Sequence, residues 1–169
     1  IDIPDSIDGI DSTAFDGCTS LTSVKLSDNL VGIGSYAFIN CSALKSIVIP
    51  ESVKNIDYSA FKGCTSLTSV KFSAGDIYID SSVFSDCTSL TEITLPDGIK
   101  SMPANLFSGC TALKTVSIPN SVTNIPCYAF DGCTALAEIT IPEGVKDIDS
   151  SAFRNCTDLT TVRIPKSIK

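Results

Sequence analysis

Ala60-Phe61-Lys62-Gly63-Cys64-Thr65-Ser66-Leu67-Thr68-Ser69-Val70-Lys71-Phe72 sets the frame of the whole chain, because its spacing returns every 23 residues. Cysteine stands at Cys18, Cys41, Cys64, Cys87, Cys110, Cys133 and Cys156, and phenylalanine three residues before each, from Phe15 to Phe153. Leucine follows each cysteine by three, from Leu21 to Leu159, and apolar columns run from Val24 to Val162 and from Leu26 to Ile164. A fixed period of this length marks a solenoid. Each unit cannot bury its own apolar side and stacks on its neighbours to do so.

Working outward from that stretch, Leu21-x-x-Val24-x-Leu26 reads as an inward leucine followed by a short strand. Residues two apart on a strand share a face, so Val24 and Leu26 point in while Ser23, Lys25 and Ser27 point out. Proline at Pro4, Pro50, Pro96, Pro119, Pro142 and Pro165, with Ser27 and Ser73 in the other copies, closes the strand because it has no amide to extend a ladder. A polar turn and a second apolar pair follow, as in Val53-x-x-Ile56, which predicts a second wall of short strands. The segment ending in Ala60-Phe61 is too short for more than one 3₁₀ or α turn. Gly17, Asn40, Gly63, Asp86, Gly109, Gly132 and Asn155 occupy one column. These residue types tolerate a left-handed backbone, so a positive φ is expected there. Asn40 and Asn155 also fit the glycosylation pattern, but that turn explains them first. The Thr or Ser after every cysteine suits hydroxyl bonding to loop amides, repeated as a ladder.

Two places break the frame. Ala74-Gly75-Asp76-Ile77-Tyr78-Ile79 puts Asp76 in an apolar column, so Ile77 slips inward to replace it, or the wall bulges; a local shift leaves Tyr78 exposed. Pro103 and Pro126 stand where Asp11, Asp57, Asp80 and Asp149 stand in other copies.

Composition limits the function. The 169 residues carry a net charge of −7, and 43% are hydrophobic, enough for one continuous core. The acidic balance disfavours nucleic acid and anionic membrane, and no apolar run is long enough to insert in a bilayer. With no histidine, histidine-based acid–base chemistry and histidine metal ligation are excluded. Seven of the eight cysteines lie in one column whose side chains point the same way. They read as buried, reduced packing residues rather than disulfides, and a linear thiolate row makes no tetrahedral metal cage. Cys127 stands outside that column, in an outward-leaning place. Asp57 and Asp80 are neighbours in the stack and invite a calcium or glycosidase reading. A solvated acidic edge explains them without a pocket or a ligand-loop pattern. No cofactor or metal site is expected.

The run Ile-Pro-x-Ser-Val-x-x-Ile-x-x-x-Ala-Phe-x-Gly-Cys-Thr-x-Leu-x-x-Val/Ile resembles the BspA-like, or treponemal-type, leucine-rich repeat family, across essentially all of 3–168. The resemblance implies a leucine-rich repeat solenoid: a right-handed, β-rich coil with a parallel concave sheet, short second-wall strands and 3₁₀ turns. It implies one domain over 1–169 of about seven repeats, a fragment of a longer surface protein. It further implies a non-enzymatic extracellular or cell-surface recognition or adhesion module. Its partner would be a host or matrix protein, or a glycan, on another cell.

On that stacking, the outward strand residues form the expected partner-binding face: Lys25, Lys45, Val48, Lys71, Glu92, Thr94, Lys114, Ser117, Glu138, Thr140 and Arg163. Counting all exposed strand columns, five cations oppose two carboxylates, so this face is expected to carry +3 against −10 for the rest of the chain. A mildly cationic, Ser/Thr-rich face suits an acidic or hydroxyl-rich partner. The plainer alternative is that Thr and Ser are good strand-surface residues and Lys blunts edge pairing. A structural spacer or fibre unit with head-to-tail self-association is the rival function.

Overall fold

The computed structural model describes residues 1–73, 75–166 and 168. Ala74, in the irregular repeat-four stretch, lies outside the described residues. The chain forms a parallel β-solenoid of about seven coils. Its strands are β1 (Gly9–Ile10), β2 (Gly32–Ile33), β3 (Ser46–Ile49), β4 (Asn55–Ile56), β5 (Ser69–Phe72), β6 (Tyr78–Ile79), β7 (Glu92–Thr94), β8 (Thr115–Ser117), β9 (Asn124–Ile125), β10 (Glu138–Thr140), β11 (Asp147–Ile148) and β12 (Thr161–Arg163). Every pairing is parallel and joins residues 23 apart, as in Ser46 with Ser69 or Ile33 with Ile56.

The expected files run through the interior. Phe38, Phe61, Phe84, Phe107 and Phe130 are fully buried, as are the cysteines from Cys41 to Cys133 and the leucines from Leu44 to Leu136. Neighbouring phenylalanine rings stack near parallel with centroids 5.0 to 6.2 Å apart. The strand spacing of about 4.8 Å sets this repeat, and each stacked pair adds roughly 0.5–1.5 kcal/mol beyond burial. In the end coils, Phe15, Phe153, Leu159 and Cys156 are only half-buried, and Cys18 is exposed. The expectation of seven buried thiols therefore fails at Cys18, which has a packed coil on one side only. All eight cysteines are free.

The second wall follows the sequence and breaks where proline enters it. β1, β2, β4 and β6 form one sheet, β9 and β11 another, and no strand joins them at Ser101-Met102. In the intact coils the residue after the wall isoleucine donates its amide to the preceding coil: Asp57 to Ile33 O at 2.9 Å, Asp80 to Ile56 O at 2.9 Å, Asp149 to Ile125 O at 2.8 Å. Pro103 and Pro126 have no N–H to give at that place, so the ladder stops on both sides of coil five.

The segment expected to be one helical turn is a chain of tight turns. Ala37, Ile39 and Cys41 each donate to the carbonyl three residues back, at 3.1 to 3.2 Å. The intervening amides of Tyr36, Phe38 and Asn40 turn outward and donate to Tyr58 O, Ala60 O and Lys62 O on the next coil, at 2.8 to 3.0 Å. A helix would aim all of these amides one way; alternation gives a third inter-coil ladder instead. It requires left-handed residues at two places per coil. One is the expected column, from Gly17 to Asn155. The other is Thr13, Tyr36, Ser59, Ser82, Asn105, Tyr128 and Ser151, with φ between 55° and 62°. Each non-glycine residue there costs about 1–2 kcal/mol, which the inter-coil bonds and the burial of the following phenylalanine offset.

Two further expectations are corrected. The ladder hydroxyls do not bond loop amides; Thr88, Thr111 and Thr134 donate to the carbonyls of Thr65, Thr88 and Thr111 on the preceding coil, at 3.2 to 3.4 Å. Ser27 does not point outward. It is 2% exposed, and its hydroxyl accepts the Asn29 amide at 3.0 Å. It sits at a proline position, where the chain bends inward.

Candidate functional site

The outward strand residues form one face, with equivalent side chains of successive coils in register. Lys25, Lys45, Val48, Lys71, Glu92, Thr94, Lys114, Ser117, Glu138, Thr140 and Arg163 are all exposed there. Their alternation with the buried Ile47, Val70, Ile93 and Ile139 follows from the two-residue period of a strand. The face is not one continuous sheet. Its strands are bonded in pairs, β3 with β5, β7 with β8, and β10 with β12. In the first coil, where Val24-x-Leu26 predicted a strand, only an isolated bridge links Asp2 to Lys25.

Charge is distributed unevenly on this face. Lys25, Lys45, Lys71 and Lys114 make no ion pair among the described residues, whereas Arg163 lies 4.0 Å from Glu138. Cations on the turn wall behave differently. Arg154 forms a fork with Asp131 at 2.9 and 2.6 Å and lies 4.9 Å over the Tyr128 ring, and Lys62 approaches Asp86 at 3.7 Å. The Arg154 guanidinium holds the Asp131 carboxyl below the usual carboxylate range. The free positive charge of the strand face is thus concentrated in its first three coils and at Lys114.

A concavity of about 920 Å³ opens on this face between β5 and β7. The repeat-four irregularity creates its rim. Ile77 is buried, Asp76 is exposed and Tyr78 is 56% exposed, so the isoleucine has slipped into the core as one of the two expected outcomes. Pairing of Ile56 with Ile79 shows that register is regained within two residues. Gly75 turns the chain at a φ of 115°, and a Cβ on Gly98 would collide with the Gly75 carbonyl and the Asp76 backbone, so the two turns pack directly on each other. On the floor, Phe72 occupies a column that elsewhere holds Leu or Ile. Its ring meets Phe84 edge-on at 6.4 Å, and the phenylalanine file is widest, 5.8 and 6.2 Å, on the two sides of Phe84. The added ring volume is accommodated by coil separation at the junction where β5 and β7 are not paired.

No group of three or more His, Cys, Asp or Glu side chains among the described residues is placed to hold a metal. Asp57 accepts from Asn55 at 3.0 Å and Asp80 accepts the Ser81 amide at 2.6 Å, within their own turns, while Asp149 accepts from Asn124 of the preceding coil at 3.0 Å, so each of these carboxylates has a structural partner. No described helix is long and apolar enough to cross a membrane.

The model of the BspA-type leucine-rich repeat region matches six copies, over residues 1–112 and 75–169. The chain belongs to this family. Solved leucine-rich structures share the coil. A leucine-rich cell surface protein from Faecalibacterium prausnitzii is 38% identical, with a TM-score of 0.80, over 92% of this chain and 42% of its own. The leucine-rich repeat protein of T. pallidum is 32% identical, with a TM-score of 0.89, over 95% of this chain and 77% of its own. One from Eubacterium ventriosum is 25% identical, with a TM-score of 0.83, over 98% of this chain and 43% of its own. The chain therefore spans less than half the length of two of these relatives. No curated protein matches it. Of these three, the Faecalibacterium prausnitzii protein is described as a cell surface protein and the other two as leucine-rich repeat proteins, and the fold supports an interaction module in general.

Proposed function

We propose that this chain is a non-enzymatic recognition module of an extracellular or cell-surface protein, and that it binds a protein or glycan partner on another cell or in a matrix through its strand face. The observation that carries this is the row of exposed lysines, Lys25, Lys45, Lys71 and Lys114, which make no ion pair among the described residues, on a face rich in Ser and Thr. Side chains held in register by the coils offer many modest contacts without reorganisation, which suits adhesion by a wide surface. Exposed cations of this kind steer encounter and fix orientation more than they add affinity, so binding should weaken with salt.

The test is capture of matrix proteins and glycans from a defined panel at low and high ionic strength, by wild type and by Lys25→Glu/Lys45→Glu. Salt-sensitive capture by the wild type, reduced at least tenfold in the double variant, supports the reading. Capture that ignores both salt and the two reversals contradicts it.

A further inference from the structure

We infer that the solenoid flexes at the junction between coils five and six, with the turn ladder as its pivot, so that coils six and seven swing as a body against coils one to five; this goes beyond the recognition role and does not depend on it. Neighbouring coils can be bonded in three places: the strand face, the second wall and the turn ladder. At every other junction of the described residues at least one of the two sheets is paired. The wall is bonded between coils one and two and between three and four, and the strand face between four and five. Both are bonded between coils two and three and between six and seven. Between coils five and six neither is: β8 and β10 are unpaired, and β9 has no strand partner at Ser101-Met102.

Each side of the junction shows its own mark of this. In the wall, Pro126 stands where Asp57 and Asp149 donate to the preceding coil, so it gives Met102 O no amide. Asn124 Oδ1, in β9, is buried with no hydrogen-bond partner among the described residues, an acceptor that coil five leaves unmet. On the strand face, Val116 and Ile118 are only partly buried, whereas Ile93, Leu95, Ile139 and Ile141, at the same places in coils four and six, are buried. In the core, the Phe107 and Phe130 rings are tilted by 23°, against 3° to 15° for the other stacked pairs of the file.

What joins the two coils is the turn ladder. Asn105 donates to Cys127 O at 3.3 Å, Phe107 to Ala129 O at 3.0 Å and Gly109 to Asp131 O at 2.7 Å. Next to it, Cys133 donates to Phe107 O, and Thr134 and Ala135 donate to Thr111 O. The stability of a stack is a sum over neighbouring units, so motion collects at the junction with the fewest bonds between coils. Bonds along one side, with the other two sides open, are the arrangement of a hinge. Lys25, Lys45, Lys71 and Lys114 all lie before it, so their mutual spacing is kept while the pair of Glu138 with Arg163 beyond it changes its angle to them.

The experiment measures distances in the whole chain by double electron–electron resonance, between nitroxides carried on p-acetylphenylalanine, which leaves the eight cysteines unlabelled. Two label pairs in one exposed column are each four coils apart: Thr22 with Lys114, which does not cross the junction, and Lys45 with Ala137, which does. The second distance distribution should be at least twice as broad as the first. Pro126→Asp, which returns an N–H to the wall and whose fold is checked by circular dichroism, should narrow the second distribution and leave the first as it was. Equal widths for the two pairs, or a width between Lys45 and Ala137 that Pro126→Asp leaves unchanged, overturns the inference.

Discussion

Cys64 donates its Sγ–H to the carbonyl oxygen of Phe38, one coil back, at 3.2 Å. The same oxygen already accepts the Cys41 amide at 3.2 Å, so the thiol fills the second acceptor place of a buried carbonyl. The contact repeats from Cys41 with Phe15 to Cys156 with Phe130, at 3.0 to 3.3 Å. Cysteine suits this column because it is small, apolar in bulk and still a donor.

Replacement of Cys64 by Ala removes that donor and leaves a cavity in the coil. A loss of about 1–3 kcal/mol is expected from these two effects. Cys18→Ala, at an exposed thiol, should stay within about 0.5 kcal/mol of wild type. Urea denaturation followed by circular dichroism compares them, and equal losses at the two positions would contradict the buried file.

Burial pushes the Cys64 and Cys110 thiols up from 9.0 to about 12. The unfolded chain loses these protons at lower pH than the native coil, so their stabilising contribution is complete below pH 9 and declines as pH rises from about 9 to about 12. The slope is at most about 1.4 kcal/mol per pH unit for each such thiol. Urea midpoints at pH 7, 9 and 10 should therefore fall above pH 9. Alkylation at pH 8 with peptide mass mapping should modify Cys18 well before Cys64 or Cys110.

Asp131 has the opposite sign. Its carboxyl is held low chiefly by the hydrogen bonds from Arg154, so the pair's contribution is present above the ordinary carboxylate range and is lost as pH falls through the lowered value. Asp131→Asn should lower stability at neutral and alkaline pH, where the pair is present, leave it unchanged at the acid extreme, and so flatten the acid limb of the profile. An acid limb identical to wild type would show the fork to be without weight, as many exposed pairs are.

Much of this was legible in the sequence because a solenoid repeats its constraints. Phe, Cys and Leu at fixed spacing defined the interior, and Gly, Asn and Asp alternating in one column marked the left-handed turn. The second left-handed column was not legible, since Thr, Tyr, Ser and Asn share no chemistry that announces it; from Thr13 to Asn105, what these residues share is an amide that serves the next coil. The direction of the Thr hydroxyls was misjudged for a related reason: the tight-turn ladders already engage the nearby amides, which leaves carbonyls as partners. At the candidate site, the exposed columns and the slip of Ile77 could be read from residue order. The trough could not, because it depends on Phe72 pressing on Phe84 and on the Gly75 turn lying against Gly98. Both relations cross between coils.

Proline at 103 and 126 should leave a dynamic mark. Amide hydrogen exchange by mass spectrometry is expected to show less protection for coil five of the second wall, around Ser101-Met102, than for Ile33 and Ile56 in the intact ladder. Uniform protection along the wall would mean that the missing donors are replaced from elsewhere.

The strand-face account is tested most directly by hydrogen exchange on the chain alone and bound to a captured partner. Added protection should fall on β3, β5, β7 and β8, and leave the turn wall around Tyr36 to Asn40 unchanged. Protection confined to the turn wall, with the strand face exchanging as in the free chain, would contradict it.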